Sequence, residues 1–201
     1  MNASRSEESK VRIGILALQG AVEPHALKLR SLNCEPVEVR TPADLIGLKG
    51  IILPGGESSA MIHLLKMNHL WEPLKEFTQH HPTWGLCAGA ILLANKVFNP
   101  EQQSLGRIDI DITRNGFGRQ IDSFIDLVQP TQCWARTEKE EAVFIRSPRI
   151  TQVGPNCDIL FRMNEEPVMV KQNNVIATTF HPELAASDHL HQYFIEMCNH
   201  G

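Results

Sequence analysis

The 201-residue chain has no dense cluster of lysine or arginine, and its formal net charge is -4 with an isoelectric point near 6.1. A phosphate backbone would meet no basic footprint, so nucleic acid is not an expected partner. No long apolar run occurs either: the longest strongly apolar stretch, Ala88 to Ala94, falls far short of the about 20 residues that a helix needs to span a bilayer. The start, 1–10, is polar and mixed in charge and lacks the apolar centre of a secretory signal. A soluble cytoplasmic protein without membrane contact is expected. The five cysteines, Cys34, Cys87, Cys133, Cys157 and Cys198, are scattered and never spaced as Cys-x-x-Cys. That argues against a disulfide framework and a zinc knuckle and for reduced thiols. Internal repeats, low-complexity tracts and linkers are lacking as well. The expected organisation is therefore a polar extension over 1–10 and a single domain over 11–201, whose 42% hydrophobic content supports one sizeable core.

What is present is an alternation of short apolar runs with helical patterns. Val11 to Leu18, Pro36 to Arg40, Gly50 to Leu53 and Thr83 to Leu86 read as strands. Between and after them, Gly20 to Leu32, Ser59 to His69, Trp71 to His80 and Ala88 to Val97 read as helices, and Thr41-Pro42-Ala43-Asp44 has the makings of a helix start. Such alternation predicts a parallel sheet covered on both faces. Beyond the polar connection Asn99 to Gly106 the pattern changes. Ile108, Ile110 and Ile112 alternate with Asp109 and Asp111, and short strands follow at Ser123 to Val128, Ala142 to Ile145, Asp158 to Arg162 and Val168 to Lys171. This half reads as antiparallel, closed by a buried strand, Val175 to Phe180, and a helix, Ser187 to Cys198.

Chemistry concentrates at the ends of these strands. In Gly85-Leu86-Cys87-Ala88-Gly89 a strand turns sharply into a helix, and flanking glycines leave room for a presented thiol. The first turn of that helix points free N–H groups at the sulfur, which favours thiolate over thiol. A cysteine nucleophile needs a base and an orienting group. His181-Pro182-Glu183 follows the last strand, and a carboxylate two residues after an imidazole can fold back and hold the ring. The other eight histidines, including His80-His81 and the His189/His191 pair, read as surface or core residues, and no ligand cluster supports a metal. Pro54-Gly55-Gly56-Glu57-Ser58-Ser59 lies between a strand and a helix, so its N–H groups can hold an anion. A plain strand-to-helix turn is the competing reading. A nucleotide loop is disfavoured, because the Walker lysine and the spaced dinucleotide glycines are missing.

The order Cys87, His181, Glu183 resembles the triad of a class I glutamine amidotransferase. The resemblance narrows through Ala17-Leu18-Gln19-Gly20-Ala21-Val22-Glu23 with His25, Leu53-Pro54-Gly55-Gly56-Glu57-Ser58, Arg114-Asn115-Gly116-Phe117-Gly118-Arg119-Gln120, Phe144-Ile145-Arg146-Ser147-Pro148 and Phe180-His181-Pro182-Glu183-Leu184. These blocks are similar to those of the glutaminase subunits of pyridoxal phosphate synthase, the PdxT or SNO family, from about Val11 to the C-terminus. Leu86 and Gly116 stand where that family commonly has Thr and Ser, and Ser59-Ala60 where it commonly has Thr-Thr.

The resemblance implies a flavodoxin-like α/β fold with a mostly parallel central sheet flanked by helices and added antiparallel strands. It implies Cys87 as nucleophile, His181 as acid/base and Glu183 as its orienter, with Gly56, Glu57, Ser58, Arg114, Ile145 and Arg146 at glutamine-binding positions. Gly56 and Ala88 would supply the oxyanion N–H donors. Either arginine could grip the substrate carboxylate through its guanidinium fork. No metal or organic cofactor is required. The implied partner is a PdxS/SNZ-type synthase subunit in a hetero-oligomer, which takes up ammonia through a channel and activates the glutaminase by reshaping Gly55-Gly56; an exposed apolar or mixed patch near the first helix is expected for its docking. Competing readings are a glutaminase feeding histidine or purine synthesis, a non-catalytic regulatory protein of the same fold, and a stress-type cysteine protein, which would lack the His-Pro-Glu turn.

Overall fold

The computed structural model of the chain describes residues 10–114 and 123–200. All but the last residue of the expected extension over 1–10, and the Asn115 to Gln120 portion of the Phe-Gly-Arg-Gln block, lie outside the described residues. In chain order the first half comprises β1 (Arg12–Leu16), α1 (Val22–Ser31), β2 (Glu35–Val39), a 3-10 turn (Pro42–Leu45), β3 (Gly50–Leu53), α2 (Ser58–Met67), α3 (Trp71–His80), β4 (Thr83–Leu86), α4 (Ala88–Leu93) and β5 (Ala94–Phe98). The second half adds β6 (Ile108–Thr113), β7 (Ser123–Pro130), β8 (Glu140–Ile145), β9 (Arg149–Val153), β10 (Asp158–Met163), β11 (Glu166–Gln172), β12 (Val175–Thr178), a second 3-10 turn (Pro182–Leu184) and α5 (His189–His200).

Among the described residues, nine strands form one sheet in the order β2-β1-β3-β4-β12-β11-β10-β7-β8. The pairings from β2 across to β12 are parallel, and those from β12 across to β8 are antiparallel. The parallel part has the doubly wound order in which functional loops gather at the carboxyl ends of the strands. The α/β architecture agrees with the reading of the sequence, but the parallel pairings make up only half of the large sheet. The antiparallel strands extend it as one continuous surface.

Alternation along each strand divides the core. Leu16, Ile51, Leu53 and Ala177 face a layer holding Met61, Leu65, Leu74 and Ile91 from α2, α3 and α4, whereas Ile13, Ile15, Ile52, Trp84 and Ile176 face Ala26, Leu29, Leu190 and Phe194 from α1 and α5. Two elements differ from expectation. The helix expected over Ala88 to Val97 ends at Leu93, because Ala94 turns extended at φ -56, ψ 154. The rest becomes β5, which joins a small second sheet by pairing parallel to β6, itself antiparallel to β9. That parallel pairing is an exception to the antiparallel reading of the second half, and β9 carries no strong alternation in sequence.

The six-residue α4 is buried throughout. It lies so close to β3 that a Cβ on Gly89 would sit 1.9 Å from the Leu53 carbonyl oxygen. Backbone cannot yield as a side-chain tip does. Gly89→Ala should therefore destabilise the fold by roughly 3 kcal/mol, the upper range for overpacking a close-packed interior, read as a lowered thermal midpoint; an unchanged midpoint would refute this contact.

Candidate active site

Four segments that leave the carboxyl ends of β1, β3, β4 and β12 supply Gln19, Gly56 with Glu57 and Ser58, Cys87, and His181 to one pocket of about 310 Å³. Parallel pairing is the cause, since it brings those four ends to the same side of the sheet. Cys87 stands at the elbow between β4 and α4 with φ 49 and ψ -102, a region that non-glycine residues rarely occupy. Its N–H donates to the Thr178 carbonyl at 2.8 Å, and its carbonyl accepts from the Ile91 N–H at 3.2 Å, so the strained turn is held from both sides.

The His181 backbone N–H donates to the Val143 carbonyl at 2.8 Å, which ties the β12 end to β8. Its ring is oriented by Glu183, whose Oε1 lies 2.8 Å from Nδ1. The ring also rests on Gly55, where a Cβ would come within 2.4 Å of Cε1. Burial opposes a charge on His181, but the Cys87 sulfur and the Glu183 carboxylate outweigh it and push its pKa up to about 10. Among the described residues Nε2 has no hydrogen-bond partner, although the Cys87 sulfur is near enough to favour a charge on the ring. Such looseness is common in active sites without substrate. Burial likewise opposes the charge of Glu183, yet the His181 hydrogen bond and the nearby imidazoles hold it below the usual carboxylate range.

The model of the SNO glutamine amidotransferase family matches residues 15–200. The chain belongs to the SNO glutamine amidotransferase family. Curated relatives include a pyridoxal 5'-phosphate synthase subunit PdxT of Deinococcus radiodurans, 45% identical over 189 residues, covering 91% of this chain and 95% of that protein. The subunit of the same name from Fervidobacterium nodosum is 42% identical over 186 residues, covering 92% of this chain and 96% of the relative. A crystal structure of a glutamine amidotransferase superimposes with a TM-score of 0.86 at 36% identity, covering 93% of this chain and 98% of the other.

In this SNO family member the remaining expected residues divide in two. Arg114, Ile145 and Arg146 line the pocket with Gly56, Glu57 and Ser58. The Glu57 carboxylate, however, is already engaged. It caps α2 by accepting from the Ser59 and Ala60 N–H groups at 3.2 and 2.7 Å, and it accepts from Arg114 Nη2 at 2.8 Å. The Ser58 hydroxyl donates to Gln102 at 3.0 Å. Arg146 sits at φ 42 on the pocket wall. Ala88 opens α4 beside Cys87, where a first-turn N–H has no acceptor within its own helix. Gln19 holds the Glu57 N–H at 3.1 Å, and its signal in the sequence was the Leu-Gln-Gly block.

Two histidines assigned to the surface or core reach this site from behind. His25 Nε2 lies 3.7 Å from Glu183 Oε2, and His25 Nδ1 lies 3.1 Å from His191 Nε2. The other member of the His189/His191 pair turns away to Glu140 at 2.8 Å. Metal-ligand groupings are absent among the described residues, and no described helix is long and apolar enough to cross a membrane.

Two outcomes follow from the ring environment. In Gly55→Ala the new methyl displaces the His181 ring, and glutamine hydrolysis should fall roughly 10²-fold, as an ångström-scale misplacement can cost, with little change in melting. A normal rate would show that the ring tolerates the methyl. The folded chain also holds a proton on His181 that the unfolded imidazole releases near 6.5, so that stabilisation is full below pH 6.5 and lost as pH rises towards 10. The contribution of Glu183 runs the other way, present above its ordinary 4.5 and lost on acidification. Wild type should therefore lose thermal stability relative to Glu183→Gln between pH 6.5 and 10; parallel curves would mean that Glu183 does not help to hold the proton on the ring.

Proposed function

We propose that this chain hydrolyses L-glutamine and supplies the ammonia to a synthase subunit that makes pyridoxal 5'-phosphate. The observation that supports this best is the meeting of Cys87 and His181, the latter backed by Glu183, at one pocket that also holds Gly56 and two arginines. The Cys87 thiolate attacks the side-chain amide carbon of glutamine. The N–H groups of Gly56 and Ala88 receive the oxyanion, each such donor being typically worth about 3 kcal/mol in the transition state. His181, charged in the resting site, gives its proton to the departing nitrogen, and ammonia leaves a glutamyl thioester behind. The ring, now neutral, takes a proton from water, and hydroxide attack on the thioester frees glutamate. Glu183 keeps Nδ1 protonated throughout, so that Nε2 alone exchanges protons with the reacting groups.

Arg114 and Arg146 are both suited to the substrate carboxylate, but they differ in what already engages them. Arg114 is braced by Glu57, which fixes one wall of the pocket. Ammonia freed into water would be protonated and lost as a nucleophile, which makes direct delivery to a partner chemically necessary. For docking, Leu27 on α1 and Leu184 in the turn packed against α1 are 57% and 47% exposed, an apolar surface beside the triad segment.

A glutamine-analogue electrophile should add once, at Cys87, and Cys87→Ala should abolish both this adduct and glutamine hydrolysis, a loss on the order of 10⁴-fold or more. Labelling confined to the exposed Cys133, or turnover surviving in Cys87→Ala, would defeat the proposal. Addition of a PdxS-type synthase should raise turnover sharply; a flat response across a saturating titration would argue against delivery to that partner.

A further inference from the structure

Behind the pocket, polar groups continue into a part of the core where water does not reach. His25 on α1 and His191 on α5 are both fully buried, as is the side chain of Glu183. Among the described residues, His25 Nε2 and Glu183 Oε2 have no hydrogen-bond partner, and they face one another at 3.7 Å. The other oxygen of Glu183 takes the His181 ring at 2.8 Å, and the other nitrogen of His25 meets His191 Nε2 at 3.1 Å. Four side chains from three separate parts of the chain thus form one file ending at the site.

With both rings neutral, proton placement along this file has a single arrangement free of repulsion. Glu183 is a carboxylate and can only accept. A lone pair on His25 Nε2 would face its oxygen unfavourably, so the proton belongs on Nε2. His25 Nδ1 is then an acceptor, which requires His191 to donate from Nε2. Burial, opposed in part by Glu183, brings the His25 pKa down to about 4, and burial brings that of His191 down to about 2, so both rings are neutral at physiological pH. The charged and titratable groups around His25 are Glu183, His181, Lys28 and His191, and its ring and that of Trp84 meet in a T-shaped arrangement. Lys28 is committed elsewhere: its Nζ donates to the carbonyls of Ala185 and Ser187 and to Asp188, pinning the chain just after Glu183 onto α1.

We propose that His25, neutral with its proton on Nε2, is a positioning residue that steers Oε2 of Glu183 and, through that carboxylate, the His181 ring, while His191 fixes the His25 tautomer. This rests on the glutaminase reading of Cys87, His181 and Glu183. A histidine that merely fills space would serve equally well in either tautomer, and a positioning histidine would not.

The test is made on the full-length chain with three readouts. The glutamine amide nitrogen can occupy the place of the histidine Nε2, whereas the shorter asparagine reaches only the Nδ1 side. In His25→Asn, kcat for glutamine hydrolysis and the rate of Cys87 alkylation by iodoacetamide at neutral pH should each fall roughly tenfold, about the worth of one charge-assisted hydrogen bond. KM should be unchanged, and His25→Gln should recover most of the loss. Equal behaviour of the two variants, or a better Asn than Gln, would overturn the proposal. Independently, nitrogen-15 shifts of the wild-type ring should report the neutral Nε2–H form between about pH 6 and 8; an Nδ1–H form or an imidazolium would also overturn it, even if neither variant folded. Alkylation and ring shifts need no turnover, so a wild-type chain inactive on glutamine even with a PdxS-type synthase present would defeat the functional reading while leaving these two readouts to judge His25.

Discussion

The carboxyl end of the sheet is organised around a carboxylate removed from water. Glu183 is 5% exposed and its side chain fully buried, and a buried charge is costly unless paired and hydrogen-bonded. Compensation comes from His181, at 2.8 Å, and that requirement holds the imidazole where the Cys87 sulfur can use it. The pairing is local in sequence but depends on distant support. Val143 of β8 fixes the His181 backbone, and Lys28 of α1 fixes the segment beyond Glu183.

The second requirement is closeness of backbone. Cys87 is strained at φ 49, a conformation that costs on the order of 1–3 kcal/mol in a non-glycine residue. Burial of all of α4 and the bond from the Cys87 N–H to Thr178 offset that cost. Absence of a side chain at Gly89 lets α4 lie against β3, and absence of one at Gly55 lets the His181 ring lie against the Gly55-Gly56 loop. Packing energy from the core is thereby converted into alignment at the site. One wall of the pocket is stiffened by a similar economy: Glu57 caps α2 and braces Arg114 with one carboxylate.

Much of this was legible from residues alone where the physics is local. The elbow of Cys87, the His-Pro-Glu turn and the strand-helix alternation of the first half depend on neighbours within a few positions, and each appears in the structure close to where the pattern put it. Failures came where long-range pairing overrode local tendency. Ala94 to Val97 looks like a continuation of its helix, yet β6 offers it a parallel partner and it becomes part of a strand. Nothing in Arg149 to Val153 distinguishes it from a loop until β6 lies beside it.

By itself, the sequence determined the chemistry available: one thiol at a glycine-flanked turn, an imidazole with a carboxylate two residues on, a glycine-rich loop after a strand, no dense basic cluster and no apolar run long enough for a spanning helix. Only the tertiary structure decided which histidines belong together. His25 and His191 are 166 positions apart, and nothing in the sequence around either one shows that the two meet. Burial and hydrogen-bond direction are properties of packed neighbours from α1, α5 and the Pro182 turn, and they come into being only when the sheet brings those elements to one place.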